Sequence, residues 1–217
     1  MENINSKIRD CYANFIRVMS SEKPYSSSCD RNRDPILKVL QELIRDKHKS
    51  LLEIGSGTGQ HAVYLSKHFP QLNWFCSDTA DKLAGISMWI DDSNYNNKDP
   101  LEFEIMKDEF PKGSYDLLFT ANTFHIMSWK HVQHLINLSG KALEPEALFL
   151  IYGPFNYDDN YTSESNENFD QWLKDRDPNS GIRNFEDLVE EMNENSFEFK
   201  KDFAMPANNR FLVFEKH

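Results

Sequence analysis

Glu53-Ile54-Gly55-Ser56-Gly57-Thr58-Gly59 is the stretch on which the fold turns. Before it, Leu51-Leu52-Glu53-Ile54 is a short apolar run of the kind that forms a strand buried on both faces of a parallel sheet. After it, Gly59 to Phe69 carries helical periodicity, so the glycines stand at a strand-to-helix turn. In that context a glycine-rich turn can take a nucleotide-type ligand, because the chain bends tightly there and the ligand can approach the backbone. The spacing is GxGxG. Gln60 stands where the GxGxxG loop of a pyrophosphate binder would carry its last glycine.

Working downstream, Asn73 to Asp78 reads as a second strand ending in a carboxylate that can accept hydrogen bonds from both hydroxyls of a ribose. A helix over Thr79 to Ile90, strands over Leu101 to Ile105 and Tyr115 to Thr120, a helix over Ser128 to Leu143 and a strand over Ala147 to Tyr152 follow. This alternation predicts a parallel sheet covered on both faces. After the cap Ser163, the stripe Phe169, Trp172 and Leu173 is either a substrate lid or core packing, and Asn184 caps a last helix through Met192. Two apolar runs, Phe197 to Met205 and Phe211 to Phe214, are then joined only by Pro206-Ala207-Asn208-Asn209-Arg210. A parallel crossover needs a dozen or more residues, so these runs must form an antiparallel hairpin. The expected fold is α/β, a doubly wound, mostly parallel seven-stranded sheet closed by an antiparallel C-terminal hairpin. An all-parallel dehydrogenase domain is disfavoured.

Upstream, Ile8, Cys11, Phe15, Ile16 and Met19 predict an amphipathic helix over Lys7 to Met19, followed by a polar loop through Arg33. Asp34-Pro35 then reads as an N-cap with proline at the first helical position. Residues 1–34 are accordingly read as a helix and loop able to act as a lid, and 35–217 as the main domain. The whole chain has 217 residues and a net charge of −11, with 16 phenylalanines, which excludes disorder and makes nucleic acid and anionic membrane poor partners. Three widely spaced cysteines without a CxxC pair suit reduced thiols, and with no leader-like N-terminus a cytoplasmic location is expected.

These features together resemble a class I S-adenosylmethionine-dependent methyltransferase from Pro35 to the C-terminus. More narrowly, PYSSSCDRNRDPIL, GSGTGQHA, ANTFHIMSW, YGPFNYDDNYTSESN and AMPANNRFLVF are similar to the methyltransferase-like 26 type. The resemblance implies S-adenosylmethionine as cofactor and a small-molecule acceptor. It implies that Glu53, Gly55, Gly57 and Gly59 receive the methionine portion, that Asp78 binds the ribose, and that Glu104 with Ile105 meets the adenine. A cofactor-binding or scaffold protein that does not turn over is the alternative. A protein or nucleic-acid amine methyltransferase is disfavoured, since ANTFH, and no NPPY-type signature, follows strand four.

Methyl transfer asks mainly that an acceptor be held in line with an activated methyl group, with a base where the acceptor starts protonated. His125 and Tyr157, after strands four and five, are the candidate catalytic residues. Each has a plainer reading, His125 as a packed histidine and Tyr157 as part of an aromatic cluster with Tyr152 and Phe155. Asn122 is a candidate for the cofactor, and Asn156, Asn208, Asn209 and Arg210 for the substrate. Arg31 and Asn32 are expected near the methionine end, where Arg31 could pair with a carboxylate. His61, His68, His131 and His134 fall on predicted helices and receive no catalytic role; His131 with His134 reads as a solvated face, and no metal site is expected.

Overall fold

The computed structural model describes residues 22–217, so the helix expected over Lys7 to Met19 lies outside the described residues. The elements in chain order are α1 (Ser27–Leu43), β1 (Ser50–Ile54), α2 (Gln60–Ser66), β2 (Asn73–Asp78), α3 (Ala80–Asp91) and β3 (Asn97–Glu102). They continue with β4 (Leu117–Ala121), α4 (Trp129–Ala142), β5 (Leu148–Gly153), β6 (Phe155–Asn156), α5 (Glu164–Arg176) and β7 (Arg183–Asn184). The chain closes with α6 (Phe185–Glu194), β8 (Phe197–Met205), a 3-10 turn (Pro206–Asn208) and β9 (Asn209–Lys216). The seven-stranded sheet has the order β3-β2-β1-β4-β5-β9-β8. Strands β1 to β5 pair in parallel, whereas β9 runs antiparallel to both β5 and β8.

Successive side chains of the central strands divide between two cores, as a period of two requires. Leu51, Leu117, Leu150 and Val213 join Ile36, Leu40, Leu65 and Ile86 of α1, α2 and α3 on one face. Their neighbours Leu52, Leu118, Ile151 and Leu212 join Leu135, Ile136, Leu188 and Met192 of α4 and α6 on the other. The unbroken apolar runs of β1 and β4 follow from this double coverage. The edge strand β8 instead exposes Glu198, Lys200 and Lys201, charges that discourage a further strand from pairing there.

Two boundaries differ from expectation. Strand β3 ends at Glu102, so Phe103, Glu104 and Ile105 lie in the loop beyond it. This strand lies at the other edge, with an irregular register against β2 between Phe75 and Ser77, and it contains Pro100. Edge strands and bulges are where proline, which cannot donate to a ladder, is accommodated. Helix α1 begins at Ser27, with Pro35 inside it, so the 34/35 boundary falls within one helix. Tertiary contacts override the local proline signal there. The Ser26 amide donates to Oε1 of Gln60 at 2.5 Å, and Asn32 meets His61 of α2. Among the described residues no helix is long and apolar enough to cross a membrane.

Gly59, the residue before α2, lies in the left-handed region at φ 84°, and a Cβ there would stand 3.2 Å from the Ile86 backbone of α3. It permits the close approach of α3 to the glycine turn. Gly59→Ala is expected to destabilise the protein by roughly 1–3 kcal/mol through backbone strain and crowding. Urea unfolding measures this; an unchanged midpoint would remove the packing role.

Candidate functional site

The turn after β1 is pinned to β2 by its own backbone. The amides of Gly55 and Ser56 both donate to the Ser77 carbonyl, at 2.9 and 3.1 Å. The next free amide, that of Gly57, donates to Oδ2 of Asp78 at 2.7 Å. The other carboxylate oxygen of Asp78 accepts from the Thr79 amide at 2.8 Å. Gly57 lies at φ 59°, and a Cβ built on it would meet nothing within 4 Å, so its exposed face opens directly on the space in front of the sheet.

That space is a cleft of about 860 Å³ at the C-terminal ends of the parallel strands. Open α/β sheets bind their ligands at this edge, where the strand order reverses beside β1. Gly55, Gly57 and Asp78 form its floor, and Phe103, Glu104 and Ile105 close one end. Asn122, Thr123, Ile126 and Met127 form a third side, and Pro24, Ser26, Ser28 and Cys29 with His61 form a fourth. The N-terminal segment therefore borders the cleft, through residues other than those expected. Arg31 is exposed, with its guanidinium donating to Oγ of Ser27 at 3.0 Å, because its place on α1 turns it outward. Asn32 is buried behind the cleft wall.

Glu53 does not line the cleft. It is 1 % exposed within the sheet, where Nε1 of Trp74 donates to its carboxylate at 2.9 Å. Burial pushes its carboxyl up to about 8, so the protonated form prevails at neutral pH. Gly59 is likewise absent from the cleft wall and serves the α2–α3 packing.

The two candidate catalytic residues lie elsewhere. His125 is 5 % exposed, with its ring edge-on to Phe169 of α5 at 5.3 Å between centroids. Burial, with Arg183 nearby, holds its imidazole down to about 4. Tyr157 stacks on Phe185 at 5.1 Å and donates its hydroxyl to Oδ2 of Asp202 at 2.7 Å. Burial and that carboxylate push its phenol far above the ordinary range. For Tyr157 the physical reason is the pairing of β6 with β7, which draws the segment after β5 away from the cleft, whereas the His125 ring is turned back onto Phe169 of α5. Asn156 is buried in that pairing. The hairpin residues are spent on their own turn. Nε of Arg210 donates to Asp202 at 2.7 Å, Nδ2 of Asn209 to the Pro206 carbonyl at 3.2 Å, and the Asn208 carbonyl accepts from Asn166 of α5 at 3.2 Å. None of the four lines the cleft.

Residues given no role from the sequence stand in their place. His61 and Cys29 both face the cleft. Their signal lay inside the strings GSGTGQHA and SSSCDRNR, but only tertiary packing shows that α1 brings Cys29 over the start of α2. His131 also reaches the cleft edge.

Residues 23–216 match the family model described as "Protein of unknown function (DUF938)", and the chain belongs to that family. The sheet order and terminal hairpin are those of the methyltransferase Rossmann-like fold, which solved structures share. The mitomycin 7-O-methyltransferase MmcR superposes with a TM-score of 0.74 at 13% identity, over 86% of this chain and 54% of that one. Human N-acetylserotonin methyltransferase in complex with S-adenosylmethionine gives 0.73 at 16% identity, over 87% and 52%. An O-methyltransferase family 2 protein from Planctomyces limnophilus, in complex with apigenin, gives 0.73 at 12% identity, over 85% and 56%. The chain spans about half the length of these proteins.

The buried carboxyl has a pH consequence. With its pKa raised in the folded state, Glu53 binds more protons folded than unfolded between about 4.5 and 8, so its contribution to stability declines as pH rises through that window. Glu53→Gln, which keeps an acceptor for Trp74, is expected to gain stability relative to wild type from pH 5 to pH 8, by on the order of a few kcal/mol. Thermal melts at both pH values give the difference; a constant offset would contradict the assignment.

Proposed function

We propose that the protein is an S-adenosylmethionine-dependent methyltransferase acting on a small molecule. The observation that carries this reading is the pairing of the Gly57 turn with the Asp78 carboxylate at the floor of the cleft, in a sheet that ends in an antiparallel hairpin. The similarity of five segments to the methyltransferase-like 26 type supports it. Three widely spaced cysteines without a CxxC pair suit a reducing, cytoplasmic setting.

The residues present suit this cofactor. Asp78 offers carboxylate oxygens to a ribose, and the open face of Gly57 admits the ligand against the backbone. Glu104 and Ile105, beyond β3, stand with Phe103 at the end where a purine fits, and Asn122 stands across from them. When bound, the cofactor supplies an activated sulfonium methyl group. The protein's part is to hold an acceptor against the apolar side formed by Ile126 and Met127 and to exclude water from it. The chain's net charge of −11 favours a cationic cofactor and disfavours a polyanionic acceptor.

Calorimetric titration with S-adenosylhomocysteine tests the cofactor. Asp78→Ala is expected to weaken binding by about 1–3 kcal/mol through lost charge-assisted hydrogen bonds. His125→Asn, at a side chain packed on Phe169 and absent from the cleft lining, is expected to bind as wild type does. Unchanged affinity in Asp78→Ala would remove the cofactor assignment. Incubation with methyl-labelled S-adenosylmethionine and a metabolite extract tests the acceptor: label is expected in the small-molecule fraction, and label confined to protein or RNA would overturn that part.

A further inference from the structure

His61 is a cleft residue with a neighbour at each ring nitrogen. Its Nε2 lies 2.6 Å from Oδ1 of Asn32, and its Nδ1 lies 3.9 Å from Sγ of Cys29. An amide oxygen accepts, so Nε2 carries the ring proton and Nδ1 keeps a lone pair. The ring is 5 % exposed, and burial, with Arg33 nearby, holds it down to about 4, so it is neutral at physiological pH. Among the described residues the Nδ1 lone pair is met only by a thiol, a weak donor at long range. The same wall otherwise presents the hydroxyls of Ser26, Ser28 and Thr58. Those can donate to a carboxylate; the imidazole nitrogen can only accept.

We propose that His61 is a specificity residue of the cleft, its Nδ1 accepting a hydrogen bond from a protonated amine of the ligand. On the reading above, on which this inference rests, that amine is the α-ammonium of the cofactor's methionine portion, which lies against the glycine turn beside α2. Asn32 acts through His61 as a positioning residue, because it fixes which nitrogen carries the proton. The arrangement distinguishes an amino-acid-bearing adenosine from one that carries only a carboxylate. A protonated imidazole or the opposite tautomer would present N–H at the same place and repel the cation.

The test compares S-adenosylhomocysteine with its des-amino analogue, in which hydrogen replaces the ammonium, by calorimetric titration of the full chain. Wild type is expected to prefer S-adenosylhomocysteine by about tenfold or more, the worth of one hydrogen bond to a charged group. In His61→Leu that preference is expected to fall by about tenfold, with affinity for the analogue little changed. His61→Asn places an amide oxygen near the Nδ1 position and is expected to restore most of the preference; Asn32→Leu is expected to lower it. Equal losses for both ligands in His61→Leu would make the residue structural and overturn the proposal. Wild type binding both ligands equally would also overturn it and leave the cofactor reading standing. Wild type binding neither would overturn the cofactor reading itself, and this inference with it.

Discussion

The hydrogen bond from the Gly57 amide to the Asp78 carboxylate joins the two parts of the site that the fold has to bring together. It spans the C-terminal ends of β1 and β2, and it exists only because the preceding amides of Gly55 and Ser56 have already tied the turn to the Ser77 carbonyl. Three consecutive donors are thereby committed, and the chain leaves the turn aimed into α2. The position of α2 sets that of His61, and the contacts of α1 with α2 bring Ser26, Ser28 and Cys29 over the cleft. A change that loosened this turn would move two walls at once.

Much of the architecture is legible in the chain itself, and the reasons are local. Leu51-Leu52-Glu53-Ile54 and Leu117-Leu118-Phe119 read as strands because double coverage leaves them no polar face. The connection Pro206 to Arg210 is too short for anything except a hairpin. Legibility fails at the edges, where burial no longer writes a pattern. Strand β3, half-exposed and carrying Pro100, is displaced from its expected position, and α1 runs straight through the Asp34-Pro35 stop signal because it is anchored to α2 by side chains.

The site divides in the same way. Gly55, Gly57, Asp78, Glu104, Ile105 and Asn122 line the cleft because strand-end positions in this sheet order converge. Glu53 stands on the same strand but points into the sheet, against Trp74, where a charge would be costly. His125, Tyr157 and Arg210 are polar residues near strand ends, and sequence cannot distinguish that from facing the ligand. The short β6–β7 pairing carries Tyr157 toward α6, Phe169 of α5 covers the His125 ring, and Asp202 of β8 takes up Arg210. His61 is the converse case: a helical position with no outward sign of function becomes part of the wall once α1 folds across it.

The central claim is that the Gly57 turn and Asp78 form one ligand-binding unit. Amide NMR during titration with S-adenosylhomocysteine examines this most directly, since the Gly57 N–H reports the state of its bond to Asp78. The largest shifts are expected at Gly57, Thr58 and Thr79, with the amides of Tyr157 and Phe185 nearly still. Shifts concentrated around Tyr157 and Phe185, with Gly57 unmoved, would contradict it.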